Sequence, residues 1–415
     1  MSPIVARRDF LKSVAVAPFL ATVSNTASAV SNRIPGRLFF TSQGKTAMIN
    51  ADGTGLRYLE FDVPNQATWQ PGAFFPDGNR VLILSMEPRR DGPGKPFNEY
   101  YHTTPTHIWI HDLTTGSLTE IVNKERLAPF CTPQLLLKNG RMLIQVVRNR
   151  VPQSFNVNLD GTDPQPFTQP GEGMPYGLNL SPDGKRVAYH LAASSGYEIR
   201  TADVDGKNKV LITKRPGHVF FGPRWSPDGK WLIFQDCIHK NDPGHDWADL
   251  ILCRADGSEL QNVTNDNSLW FAATYGSPEN RGGGSNVPTW SKDGSILFCR
   301  RLPDSKPAWE YQRNRVDVDH YNRDYKPELA QGGTEIVRMN PKTGNIKRIT
   351  KSDPPVWDFR HTESPDGKHI LFCRAETGQA PAIWIMKSNG KKQKLLTKGL
   401  NDLGADHPRW IPDPV

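Results

Sequence analysis

Histidines and the charged residues beside them are the side chains of this sequence best suited to chemistry. The chain has 11 histidines, and His218, His361 and His407 begin three segments that resemble one another. A neutral imidazole is a common ligand of metal ions in proteins. We therefore predict a divalent metal, Mn²⁺, Ca²⁺ or Zn²⁺, at these three residues. The alternative is that no cofactor is present and each histidine is a hydrogen-bonded loop residue.

The segment Arg360-His361-Thr362-Glu363 departs from the segments that correspond to it. Those segments read Pro-x-Trp, at residues 223–225, 288–290 and 408–410. A repeat that has a carboxylate in place of a core tryptophan has a reason other than packing, and we predict Arg360, His361 and Glu363 as catalytic residues. The alternative is that Glu363 is a structural ion-pair partner of Arg360 or Arg374.

A long insertion, residues 307–333, is rich in aromatic and charged side chains. Aromatic rings and guanidinium groups bind sugar rings and acidic groups well. The predicted ligand-binding residues are Trp309, Tyr311, Arg315, Tyr321 and Arg323. The other interpretation of this insertion is a lid loop that packs on itself.

A repeated turn must position these residues. Ser-Pro-Asp-Gly occurs at residues 181–184, 226–229 and 364–367, and related turns occur at residues 75–78, 137–140 and 291–294. Proline presets φ, and Asp-Gly or Asn-Gly supplies the positive φ of a tight hairpin, so each copy predicts a turn between two strands. A second turn signal follows each copy. Four strands per unit, at a period of about 40–45 residues, are typical of propeller blades.

The two ends of the chain predict how the propeller closes. Residues 37–40, 46–49 and 56–61 supply three strands without an inner strand before them, and residues 406–413 supply an inner strand without outer ones. Joined, they complete one blade and leave no free sheet edge. We therefore predict an all-β, seven-bladed β-propeller closed by N- and C-terminal strands in one blade. The long insertions map to the face opposite the Ser-Pro-Asp-Gly turns, so a site is expected there.

The Ser-Pro-Asp-Gly repeats resemble those of the TolB-like propeller family over residues 30–415. That fold hosts scaffolds, peptidase domains and polysaccharide lyases. A TolB protein proper also has an α/β domain before its propeller, whereas strands begin early here. More distantly, the chain is similar to the oligogalacturonate lyases, and this resemblance implies a manganese site of His and Gln near the ring axis, with His or Arg assisting catalysis. The cluster of Gln and paired His typical of those lyases is not found in one loop here, so no residue is carried over.

The first 29 residues predict export. Arg7 and Arg8 precede Phe10-Leu11-Lys12, an apolar stretch spans residues 14–23, and Ala27-Ser28-Ala29 forms a small-x-small cleavage site. This pattern indicates a twin-arginine signal peptide over residues 1–29, followed by the propeller over residues 30–415. The apolar stretch is too short for a permanent membrane anchor. The expected location is the periplasm or the extracellular space.

Charge and composition narrow the choice of partners. The formal net charge of +8 suits an acidic glycan or protein ligand, and it also suits solubility alone. No run of basic residues alternates with aromatic ones, so a nucleic-acid partner is not expected, and we expect a monomer. The five cysteines include no Cys-x-x-Cys pair, which argues against a disulfide framework and favours core positions, as for Cys299 and Cys373. The absence of Gly-x-Ser-x-Gly argues against a propeller peptidase.

Two functions remain after these exclusions. The first, which we favour, is a recognition or scaffold propeller for a glycan or protein ligand. The second is a metal-assisted lyase that acts on an acidic, uronate-type polysaccharide. Lyase chemistry would need a metal or arginine to neutralise a carboxylate and a base such as histidine to remove a proton.

Overall fold

Short antiparallel strands joined by tight turns make up nearly all of the regular structure. The computed structural model describes residues 34–42, 45–66, 68–88, 105–122, 135–148, 151–193, 196–238, 247–265, 267–273, 283–306, 309–311, 323–325, 327–377, 379–400 and 404–413. All of them belong to one unit, Ile34–Val415. Within these ranges, no helix has the length and apolar character needed to cross a membrane.

The strands follow one another in a regular succession. The first fifteen are β1 (Arg37–Ser42), β2 (Lys45–Asn50), β3 (Arg57–Tyr58), β4 (Thr68–Phe74), β5 (Arg80–Met86), β6 (Thr106–Asp112), β7 (Leu118–Val122), β8 (Leu135–Leu136), β9 (Arg141–Arg148), β10 (Val151–Asn158), β11 (Gln165–Pro166), β12 (Met174–Leu180), β13 (Arg186–Ala193), β14 (Gly196–Asp203) and β15 (Val210–Lys214). The next are β16 (His218–Trp225), β17 (Trp231–Ile238), β18 (Trp247–Arg254), β19 (Gln261–Asn262), β20 (Ser268–Leu269), β21 (Phe271–Ala273), β22 (Gly283–Ser285), β23 (Thr289–Trp290), β24 (Ile296–Arg301), β25 (Trp309–Tyr311) and β26 (Arg323–Tyr325). After a short 3₁₀ helix (Pro327–Leu329) come β27 (Thr334–Met339), β28 (Ile346–Arg348), β29 (Val356–Glu363), β30 (His369–Glu376), β31 (Ala382–Lys387), β32 (Lys394–Leu395) and β33 (Asp406–Ile411).

The strands pair into an all-β propeller. Four sheets have four strands each, in the orders β3-β2-β1-β33, β4-β5-β6-β7, β11-β10-β9-β8 and β12-β13-β14-β15. A 13-stranded sheet contains three further meanders, β16-β17-β18-β19, β23-β24-β27-β28 and β29-β30-β31-β32. The pairs β21-β22 and β25-β26 are separate hairpins. Because only four blades are separate four-stranded sheets, the count of seven stays a prediction.

All six predicted turns close hairpins between the first and second strands of a meander, namely β4–β5, β8–β9, β12–β13, β16–β17, β23–β24 and β29–β30. The turn at Ser181 shows why the motif is suited to this position. Asp183 accepts hydrogen bonds from the Ser181 hydroxyl at 2.6 Å and from the backbone N–H of Lys185 at 3.0 Å. The same hydroxyl accepts the N–H of Arg186 at 2.9 Å, so side chains satisfy the backbone of the turn.

The predicted closure by the two ends of the chain is confirmed. The C-terminal strand β33 pairs antiparallel with β1, with Leu38 opposite Trp410. Alternate side chains of β1 then enter two different cores, as the pleat requires. Leu38 belongs to the same core as Phe359 of β29 and Phe372 of β30. Phe39, on the other side of the sheet, belongs to the same core as Val81 of β5. This sheet therefore lies between two neighbouring blades.

The Pro-x-Trp segments link neighbouring blades. Each tryptophan donates its indole N–H to a backbone carbonyl of the preceding inner strand: Trp225 to Asn179 at 3.1 Å, Trp290 to Arg224 at 3.1 Å and Trp410 to Thr362 at 3.4 Å. A buried indole needs such an acceptor. These side chains therefore lie between neighbouring blades.

Bulges interrupt the inner strands β12, β16, β29 and β33. One bulge residue in each strand has a positive φ: Gly177 (59°), Gly222 (61°), Arg360 (48°) and His407 (55°). Glycine adopts this backbone conformation easily, but a residue with a side chain is strained by about 1–3 kcal/mol. At Arg360 and His407, interactions of the surrounding structure must offset that strain.

Candidate functional site

The bulges of β29 and β33 bring together a buried ion pair. The Arg360 guanidinium contacts the carboxylate of Asp406, and both residues are buried. Burial by itself would raise the pKa of Asp406, but the charge of Arg360 and the hydrogen bonds to the carboxylate outweigh it and lower the pKa to about 2. Asp406 is therefore ionised at neutral pH and holds one blade against the next.

The remaining hydrogen bonds of Asp406 are made within the protein. Its Oδ1 accepts the backbone N–H of His407 at 2.7 Å and the thiol of Cys373 at 3.2 Å. Thr41 of β1 donates its hydroxyl to the Asp406 carbonyl at 3.1 Å. The carboxylate thus joins β29, β30 and β33, and it acts as a structural centre.

His407 is the exposed imidazole of this group. Its Nδ1 lies 3.7 Å from Oδ2 of Asp406 and 3.5 Å from the hydroxyl of Thr41, and 47% of its side chain is exposed. Burial among the strands and the charge of Arg360 lower the pKa of His407, although its contact with solvent limits the effect. The ring is therefore neutral at neutral pH and accessible to a ligand.

His361, which is 5% exposed, is occupied on both sides of its ring. Its Nε2 lies 3.0 Å from the Leu297 carbonyl, and its Nδ1 lies 3.2 Å from Sγ of Cys299, both on β24. Burial lowers the pKa of His361 to about 4. Neither nitrogen is available to a metal or a substrate, so the predicted catalytic role of His361 does not fit this geometry.

The contact of Cys299 with His361 does not make a nucleophile. Asn286 accepts the Cys299 thiol at 3.5 Å and the backbone N–H of Arg360 at 2.7 Å, so a Cys-His-Asn set is present. Burial raises the pKa of Cys299 to about 12, whereas an activated cysteine has a lowered pKa. The predicted core position of Cys299 is confirmed. Cys131 lies outside the described residues.

Glu363 lies at the C-terminal end of β29, three residues after Arg360, and has other partners. Its carboxylate accepts the backbone N–H of Lys292 at 2.8 Å and contacts Arg338 at 3.3 Å, both in the preceding meander. Arg374 pairs instead with Asp358, at 2.6 Å. The predicted partners, Arg360 and Arg374, are therefore wrong. Glu363 links two neighbouring blades, as the tryptophans do. It accepts a backbone N–H of the preceding blade, whereas each tryptophan donates its indole N–H to a backbone carbonyl there.

The three histidines predicted to share a metal have separate partners. Nδ1 of His218 lies 2.8 Å from the carboxylate of Asp236, whose pKa is raised by burial. His361 is bonded to β24, and His407 lies beside Asp406. In the part of the chain that the structure describes, no three His, Cys, Asp or Glu side chains form a group that could hold a metal ion. The described residues therefore do not assemble the predicted metal site.

The predicted ligand-binding insertion is described only in part. Strands β25 and β26 form a hairpin in which Trp309 is opposite Tyr325 and Tyr311 is opposite Arg323. Their backbones place Trp309, Tyr311 and Arg323 on one two-stranded element. Arg315 and Tyr321 lie outside the described residues.

Cavities lie at the face of the Ser-Pro-Asp-Gly turns. One has a volume of about 630 Å³, lies beside the turn at Ser226, and is lined by Trp231, Trp290, Lys292 and Lys342 among others. A second, of about 480 Å³, includes Glu363 and Arg338. The sequence predicts a site on the opposite face, and residues 239–246 and 312–322, which are expected to contribute to it, are outside the described ranges.

Two arginines of the inner strands were not predicted as site residues. Arg224 and Arg409 are the central residues of two Pro-Arg-Trp segments. Nη1 of Arg409 donates to the Gly72 carbonyl at 2.8 Å, and Nη1 of Arg224 donates to the Pro223 carbonyl at 3.1 Å. Burial lowers the pKa of each to about 10. The sequence does contain a signal that could have pointed to these two arginines. It is a charged residue at the middle position of Pro-x-Trp, a segment whose other residues serve packing.

Comparison with known proteins defines the class of the fold. No family model matches the chain. The protein is a β-propeller whose structural neighbours include TolB proteins and oligogalacturonate lyases. One solved neighbour is an oligogalacturonate lyase from Vibrio parahaemolyticus, with a TM-score of 0.50 and 13% identity, over 87% of this chain and 86% of that chain. At that identity, the likeness shows the fold alone.

Two curated proteins are similar in sequence over shorter stretches. The uncharacterized peptidase YuxL of Bacillus subtilis is 26% identical over 209 residues, which are 46% of this chain and 28% of that protein. The Tol-Pal system protein TolB of Shigella flexneri is 38% identical over 52 residues, 12% of each chain. The chain thus matches less than a third of the length of either relative.

Proposed function

We propose that the chain is an exported TolB-like propeller that acts as a recognition or scaffold protein, as a monomer, for an acidic ligand. The class of ligand that best suits it is an acidic glycan, with an acidic protein surface as the other candidate. The observation that carries this proposal is the state of the reactive side chains. Those of Arg360, His361 and Glu363 are engaged within the protein, whereas the guanidinium of Arg409, on an inner strand, has a nitrogen, Nη2, with no hydrogen-bond partner among the described residues.

A lyase has less support from the same residues. Its base must reach a carbon-bound proton, and a cation must neutralise the neighbouring carboxylate. His361 has no free nitrogen, and the guanidinium of Arg360 already contacts Asp406. A divalent metal would need ligands beyond those that the described residues bring together. Binding without turnover is therefore the function that we propose.

We also infer a ring of seven blades. The three meanders within the 13-stranded sheet have the same strand order as the four separate sheets. In each of these meanders, one of the repeated turns joins the first strand to the second. In this proposal, single pairings merge three blades into one sheet, such as the parallel bridge between Thr334 and Trp357.

Export by the twin-arginine pathway is the proposal for the first 29 residues. Replacement of both Arg7 and Arg8 by Lys should leave the precursor in the cytoplasm, because the pathway recognises the guanidinium pair and not positive charge alone. Fractionation followed by immunoblotting measures the result. A Lys12→Arg variant is the control and should be exported normally. Normal export of the double variant would remove this proposal.

Binding and turnover can be measured on the same protein. Purified protein should bind polygalacturonate in titration calorimetry, with a Kd below about 1 mM, because acidic groups meet cationic side chains on the inner strands. The same sample should release no unsaturated uronate product, with or without added Mn²⁺. A neutral galactan of similar length is the control ligand. Turnover of polygalacturonate would contradict the proposal and favour the lyase.

A further inference from the structure

Most arginines on the strands of this propeller face a carboxylate. The pairs are Arg300 with Glu335, Arg374 with Asp358, Arg200 with Glu198, Arg338 with Glu363, and Arg360 with Asp406. Arg224 and Arg409 differ from these arginines, because, like Arg37 and Arg57, neither forms an ion pair with any carboxylate that the structure describes. They are also equivalent, since each is the central residue of Pro-Arg-Trp on an inner strand, β16 or β33.

Arg409 retains unused hydrogen-bonding capacity. Its Nη1 donates to the Gly72 carbonyl of β4, and its guanidinium lies 5.0 Å from the centre of the Phe74 ring. Its Nη2 is buried and has no hydrogen-bond partner among the residues that the structure describes. A buried donor without an acceptor is costly, and it is more costly when it carries charge. An acceptor that reached this nitrogen would remove this cost.

Within the described part of the chain, Arg224 donates hydrogen bonds only to uncharged groups. Its Nη1 donates to the carbonyls of Pro223 at 3.1 Å and Gly177 at 3.4 Å. Burial lowers the pKa of Arg224, as it does that of Arg409, and no anionic group counteracts the shift. With pKa values of about 10, both guanidinium groups remain charged at neutral pH.

Both side chains reach from their own inner strand to a neighbouring one, Arg409 to the blade that follows and Arg224 to the blade that precedes. Arg409 of β33 contacts β4, and Arg224 of β16 contacts β12, so each guanidinium joins its own blade to a neighbour. The inner strands of a propeller surround its central channel. Each arginine also lies two residues after a bulge residue of positive φ, His407 or Gly222. The backbone geometry therefore sets both arginines at the same height of their strands.

We propose that Arg224 and Arg409 bind oxyanion groups of the ligand at the central channel. The chemistry is that of carboxylate or phosphate oxygens, for which a guanidinium offers paired donors. This inference rests on the proposed function in that the ligand is acidic, and it names the residues that recognise the acid. Carbonyl contacts on one nitrogen hold each guanidinium, and the remaining N–H groups serve the ligand.

The test compares Arg224→Gln and Arg409→Gln with Arg254→Gln. Arg254 is a matched control, because its guanidinium pairs with Glu259 at 3.1 Å on a more exposed strand end. The probes are inorganic phosphate, digalacturonate and the neutral galactobiose, each in calorimetry at constant ionic strength. We expect each channel variant to lose on the order of tenfold or more in affinity for the two anions. The control should bind as the wild type does, and galactobiose should bind to none of them.

A melting curve separates recognition from a structural role. If these arginines serve the ligand, both channel variants without ligand should melt at the wild-type temperature or above it, since an unpaired charge has been removed. Unchanged anion affinity in both variants would overturn the inference, and so would a wild type that binds neither anion at about 10 mM. A third outcome separates the two proposals. If the two variants lose affinity for phosphate and digalacturonate, but the wild type does not bind polygalacturonate, the proposed function is contradicted and the inference stands.

Discussion

Deletion of residues 406–415 is expected to prevent the chain from folding as a stable monomer. The deletion removes β33, the inner strand of the blade that both ends build. It removes Trp410, which is partly buried, and loss of a fully buried tryptophan would cost about 3–5 kcal/mol. It also leaves Arg360 buried without Asp406, which costs a similar amount. These losses together approach the whole stability of a typical domain, about 5–15 kcal/mol.

Light scattering and thermal melting measure this outcome. The deleted protein should aggregate or melt without a cooperative transition, because the edge of β1 is exposed to other chains. A truncation that ends at Asp413, an exposed residue after β33, is the matched control and should behave as the full chain does. A monomeric deletion variant with an unchanged melting temperature would contradict closure by β33.

Replacement of Asp406 by Asn should destabilise the protein by about 3–5 kcal/mol, since it leaves a buried guanidinium without its counter-charge. Denaturant unfolding measures the change. The double variant Arg360→Leu with Asp406→Leu removes both charges, and we expect it to recover most of that loss. An Asp406→Asn variant as stable as the wild type would show that the ion pair does not hold β29 and β33 together.

The same pair predicts an acid dependence of stability. Asp406 has a pKa of about 2 in the folded protein, below its ordinary value of 3.8. A depressed pKa stabilises the folded state at pH values above the unfolded pKa, and this stabilisation is lost as pH falls from about 4 to about 2. The difference corresponds to about 2 kcal/mol. The wild type should lose this amount over that range, and the Asp406→Asn variant should lack this part of the change.

The turns and the closure of this propeller could be predicted because their causes are local. Proline and Asp-Gly set the backbone within four residues, so the turn at residues 181–184 could be placed from its sequence alone. The unmatched strands at the two ends, around Leu38 and Trp410, required one another since an open sheet edge is unfavourable. The number of separate sheets was not predictable in this way, because single bridges between blades depend on their packing.

The roles of the site residues depended on partners that are distant in sequence. The departure of Glu363 from Pro-x-Trp was visible, but its acceptance of a hydrogen bond from Lys292, 71 residues earlier, was not. His361 was a reasonable candidate for chemistry until its two nitrogens were found against β24.

The sequence by itself thus determined the class of fold, its repeated turns and the strand that closes it, because these follow from backbone preferences and alternating burial. Only the tertiary structure decided which charged groups are neutralised. Arg360 and Arg409 are both arginines on inner strands, yet Arg360 faces Asp406, whereas Arg409 pairs with no carboxylate that the structure describes. Electrostatic energy depends on distances and burial, and the folded arrangement of the blades sets both.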